Sequence, residues 1–135
     1  MLHPNTELLK QELRIPPAGT YAPHIFRAEG LTAHPDAVAI FGGNDPTALG
    51  AQAAAEAAQS SALIYGVDGS PDIKAMIAEG KVTGTGAQSP MTIGKTIAEL
   101  YYQWKAGEEV EDRYPIETFM INSDNIDEYN NGGWQ

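Results

Sequence analysis

Three stretches of the chain share one local grammar. FGGNDP, GVDGSP and GAQSP each join an apolar run to a polar residue and then to a proline that can open a helix. Part of this pattern is architectural. Asp45, Ser70 and Ser89 are good N-caps, and Pro46, Pro71 and Pro90 stand at the first helical position, where no amide donor is needed. Architecture does not ask for Asn44, Asp68 and Gln88. An amide, a carboxylate and a second amide put donors and acceptors into a small space, which suits a sugar or polyol, whose every hydroxyl is both. Taken singly, Asn44 and Asp68 have a plainer role in satisfying loop backbone, and Gln88 in meeting solvent. Recurrence at three successive strand ends makes the three residues ligand-binding candidates. Asp45 is a weaker candidate, better read as an N-cap.

These residues meet only if the elements before them are parallel neighbours. AVAIF (37–41) and ALIYGV (62–67) are continuous apolar runs, the pattern of strands buried on both faces of a parallel sheet. An Ala-rich helix over 46–58 supplies the right-handed crossover between them. A helix over 71–79, closed by Gly80, leads to the weaker Gly-bearing strand KVTGTGAQ. A further helix spans 90–105, with Ile93, Ile97, Leu100, Tyr101 and Trp104 recurring at helical spacing, and IETFMI (116–121) reads as a last strand. The carboxyl ends of such strands form the edge where open α/β sheets bind ligands. Residues 1–27, broken by Pro4, Pro16, Pro17 and Pro23, read as an arm, 28–127 as the regular lobe and 128–135 as a polar tail with a short helical turn at most.

Composition narrows the partners. With 135 residues, 42% of them apolar, the chain can close one modest core. Eight basic against 18 acidic residues give a net charge of -10, which argues against nucleic acid and anionic membranes and favours a neutral or cationic ligand. The absence of Cys removes disulfides, thiol catalysis and thiolate metal sites. His3, His24 and His34 stand at no ligand spacing, so neither a metal nor another cofactor is expected. GKT at 94–96 is a near miss to a phosphate loop, since Ser89 stands where Gly is required, and GTGAQS fails as a dinucleotide loop at the same residue. No nucleophile and base arrangement is visible, so the expectation is binding rather than catalysis. Tyr101, Tyr102 and Trp104 read as packing residues, while Trp134, in its Gly-flanked tail, has no assigned place.

FGGNDPTALGA, IYGVDGSPDIKAMIAEGKVTGTGAQSPMTIGKTIAEL and KAGEEVEDRYPIET together resemble the C-terminal part of type I periplasmic sugar-binding proteins of ABC transporters, the ribose-binding group, over about Ala28 to Asn125. The resemblance implies an α/β, three-layer Rossmann-like lobe with a mostly parallel sheet, the C-terminal half of such a protein. It implies that Asn44, Asp68 and Gln88 hydrogen-bond a monosaccharide or polyol, and that the full-length protein serves a membrane permease from a periplasmic or extracytoplasmic location. MLHPNTELLKQELRIPP shows no signal-peptide pattern. In the family the segment matching 90–105 joins the other lobe. Nearly all of that lobe and the early C-lobe segment have no counterpart here, so only one wall of the cleft is expected, and with it weak affinity. The apolar face of the helix should then be covered by the arm or by a second chain, which predicts a homo-oligomer. The alternative is the effector-binding domain of a LacI-like transcription regulator, disfavoured by the lack of a basic helix-turn-helix segment.

Overall fold

The computed structural model describes Leu31, residues 34–129 and residues 132–135. The arm expected at 1–27 lies outside the described residues, as do His3 and His24. Strand β1 (Ala39–Phe41) is followed by helix α1 (Asp45–Ala57), strand β2 (Leu63–Asp68), helix α2 (Pro71–Ala78), strand β3 (Gly84–Ala87), helix α3 (Pro90–Lys105), strand β4 (Phe119–Asn122) and a 3-10 turn (Ile126–Glu128). The sheet order is β1-β2-β3-β4, with β1, β2 and β3 parallel and β4 antiparallel to β3. The expected crossover units and mostly parallel sheet are therefore present.

Each helix begins where Pro makes an amide donor unnecessary and ends for a local reason. Helix α2 stops at the cap Glu79, after which Gly80 takes φ +70, a left-handed conformation that glycine adopts without Cβ strain. Helix α1 buries Ala48, Ala51, Ala54 and Ala55, so its backbone sits close to the sheet. A Cβ on Gly42 would lie 2.6 Å from the Ala48 nitrogen, which is why the turn after β1 needs glycine there. Leu31, Ile40, Ile64, Ile73, Ile77, Val82, Ala87, Ile121 and Ile126 complete the core.

The apolar runs differ from expectation in one respect. They predict strands buried on both faces, yet β1 alternates exposed, buried, exposed, and Phe41 and Leu63 are exposed on the face that carries Tyr65 and Met120. Among the described residues, α1 and α2 cover the face bearing Ile40, Ile64, Thr85 and Ile121, and nothing seals the opposite one. An apolar run shows that a strand can be covered on both sides, not that both covers lie in the same stretch of chain.

Beyond its first turn, helix α3 packs little against the body. None of its residues is buried; Ile97, Tyr101, Tyr102 and Trp104 are exposed, and Ile93 and Leu100 are half-buried. Tyr101 meets Tyr102 edge-on at 5.6 Å between ring centroids and lies 6.3 Å from Trp104, so the rings shield mainly one another.

Candidate functional site

At the first strand end the N-cap is not the residue expected from the sequence. Asn44, rather than Asp45, is the N-cap of α1: its Oδ1 accepts from Thr47 N at 3.0 Å and from Thr47 Oγ1 at 2.6 Å. Asp45 is the first helical residue and is wholly buried. Its Oδ2 accepts from the Ser70 amide at 2.6 Å and its Oδ1 from Thr85 Oγ1 at 2.6 Å. Thr85 Oγ1 in turn accepts from Gly69 N at 3.2 Å. One carboxylate therefore ties α1 to β3 and to the loop after β2. Burial pushes the Asp45 carboxyl above the ordinary carboxylate value of 3.8, against the lowering effect of its hydrogen bonds from Thr85 and Ser70. A spacing argument cannot separate a capping Asp from a buried one. The clue available in the sequence is Gly66, where any Cβ would collide with Asp45 Oδ1.

The loop fixed in this way presents Asp68. Asp68 ends β2 with φ +126 and is followed by Gly69 at φ +75. Such backbone costs a non-glycine residue on the order of 1–3 kcal/mol, and it is held by the Gly69 and Ser70 amides bonding to the Thr85 and Asp45 side chains. Gln88 follows β3 and donates from Nε2 to Asp68 Oδ1 at 3.0 Å, while the two backbones approach with Gln88 N to Asp68 O at 3.4 Å. Ser89, the N-cap of α3, is itself left-handed at φ 51 and makes no side-chain cap bond. Ser70 caps α2 through its backbone conformation, also without a side-chain bond.

Asp68 and Gln88 thus touch, at the carboxyl ends of neighbouring parallel strands. They line a depression of about 350 Å³ whose other walls are Pro90, Met91, Ile93 and Trp134. Asn44 stands at the adjacent strand end but is not among the residues lining this depression. The site therefore joins a charged acceptor and an amide to an apolar surface, the combination that can bind a molecule with a hydroxylated edge and a C–H face. No group of His, Cys, Asp or Glu able to hold a metal ion occurs among the described residues.

Two participants escape the sequence reading. Lys74, on α2, is only 1% exposed, and its Nζ donates to the Gly133 carbonyl at 2.5 Å and to Gln135 Oε1 at 3.0 Å. Burial lowers its pKa from the usual lysine value. The tail it holds is not merely polar chain end: it brings Trp134 to the depression. The available signal was a single basic residue inside the helix PDIKAMIA, next to the buried Ile73.

Residues 27–109 match the family of periplasmic binding protein domains. The ribose import binding protein of Escherichia coli is 39% identical over 92 residues, covering 67% of this chain and 31% of that protein. The D-allose-binding periplasmic protein of the same organism is 41% identical over 72 residues, covering 52% of this chain and 23% of that one. The chain spans under a third of the length of these curated relatives. Among solved structures, an ABC transporter solute-binding protein from Actinobacillus succinogenes with bound D-allose superposes at TM-score 0.73 and 27% identity, over 76% of this chain and 36% of the other. One from Bacillus halodurans with bound myo-inositol gives 0.68 and 30%, over 76% and 36%.

Proposed function

This chain belongs to the family of periplasmic binding protein domains, and from that premise we propose that it is part of the solute-binding component of a sugar ABC transporter. The observation that carries the reading is the Gln88 to Asp68 hydrogen bond on the rim of an apolar depression. In this reading Asp68 accepts from ligand hydroxyls, Gln88 both donates and accepts, and Asn44 donates from the next strand end through its amide nitrogen. The ligand is a monosaccharide or polyol, in keeping with the sugar and inositol bound by the relatives and structures named above. The role is capture and presentation to a permease outside the cytoplasm, without catalysis. The named relatives are all solute-binding proteins, which favours transport over the regulator alternative.

A homo-oligomer assembled through α3 completes the proposal, because the exposed Ile97, Tyr101 and Trp104 need cover. Calorimetry with D-ribose, D-allose and myo-inositol tests the binding role. Saturable heat that disappears in Asp68→Asn supports it, and equal binding by wild type and variant rejects the assignment of Asp68. Light scattering tests assembly, and a monomer across the whole concentration range removes the oligomer.

A further inference from the structure

Resting on the sugar-site reading, we propose that segment 132–135 is a wall of the ligand site and that the Trp134 indole is the face on which a sugar or cyclic polyol ring lies. The tail is fastened on both sides of that residue. Before it, the Gly133 carbonyl accepts from Lys74 Nζ; after it, Gln135 Oε1 accepts from the same ammonium. Gln135 also donates from Nε2 to the Gly69 carbonyl at 3.1 Å, and its own carbonyl accepts from Met91 N at 3.4 Å. The anchors are the glycine beside Asp68 and the second residue of α3, three positions beyond Gln88, so Trp134 is pinned next to both site residues.

The chemistry of the anchor explains its strength. An ammonium that is 1% exposed has lost its water, and the tail's oxygens replace it. Lys74 therefore acts as a positioning residue. Trp134 itself is 48% exposed, so it is held in place without being consumed by the core. A sugar ring has a hydroxyl edge and a flatter C–H face. Asp68 and Gln88 serve the edge, and an indole is the largest flat surface that can serve the face.

The test uses the chain with Trp104→Phe, which leaves Trp134 as the single tryptophan of the two. Calorimetry with D-ribose, D-allose and myo-inositol should show Trp134→Ala binding about tenfold more weakly, and Trp134→Phe within about threefold of the parent. Lys74→Met should shift Trp134 emission to the red and increase its quenching by acrylamide. If circular dichroism shows that Lys74→Met fails to fold, Gln135→Ala, which removes the bonds to Lys74 and Gly69, gives the same readout. Unchanged affinity in Trp134→Ala alongside lost affinity in Asp68→Asn overturns the wall and leaves the sugar site standing. No heat from the parent with any of the three ligands overturns both. Emission and quenching unmoved by Lys74→Met and Gln135→Ala overturn the anchoring.

Discussion

On the covered face of the sheet, Ala48, Ala51 and Ile73 are sealed completely, and the buried Asp45, Thr85 and Lys74 find partners in other elements of the same chain. Helix α3 is twice as long as α2, at 16 residues against 8, and seals none of its own. On this face the body satisfies both its apolar and its polar groups internally. Helix α3 carries Ile97, Tyr101, Tyr102 and Trp104, side chains of comparable apolarity that the rest of the described chain leaves exposed. Apolar content alone therefore does not locate a core; what matters is whether a second surface lies opposite.

Four substitutions or titrations sharpen this contrast. The largest effect is expected for Asp45→Ala, which strands the Thr85 hydroxyl and the Ser70 amide and should cost about 3 kcal/mol in urea unfolding. A cost near zero would mean that the body is not held together by this carboxylate. Gly66→Ala comes next, at about 2 kcal/mol, because the new methyl would lie 3.1 Å from Ala48 Cβ and collide with Asp45 Oδ1. In an Asp45→Ala background much of that penalty should vanish, since the two sites share one contact.

The third test is by pH. A carboxyl whose native pKa lies above 3.8 gives the folded state more bound protons than the unfolded state between the two values. The proton-linked part of the Asp45 contribution to stability is thus fully present below 3.8 and is lost as pH rises through the raised native value, while the hydrogen bonds from Thr85 and Ser70 remain. Asp45→Asn should remove that component from a stability profile measured by urea unfolding across the acid range. The smallest effect is expected on α3: Ile97→Ser or Trp104→Ser should change unfolding stability of the isolated chain by no more than about 0.5 kcal/mol, while dissociating any assembly seen by light scattering. A large loss in a monomer would erase the contrast between α3 and the body.

The sequence made much of this fold legible because its signals are local. The prolines at 46, 71 and 90 and the apolar runs place the helices and strands to within a few residues. The three polar strand ends are legible for the same reason, and Asp68 and Gln88 do meet. Asn44 and Asp45 are harder, because either can cap a helix, and the choice is made by Thr85 and Ser70, far along the chain. The docking of Gln135 onto Lys74 and Gly69 depends on contacts some 60 residues apart, beyond the reach of periodicity. Trp134 had no readable partner for that reason.

The φ of +126 at Asp68 sets two selective pressures against each other. Glycine at this position would relax the backbone and make the protein tougher, yet it would delete the carboxylate that accepts from Gln88. A screen for heat resistance alone would therefore enrich molecules that fold better and have lost this carboxylate.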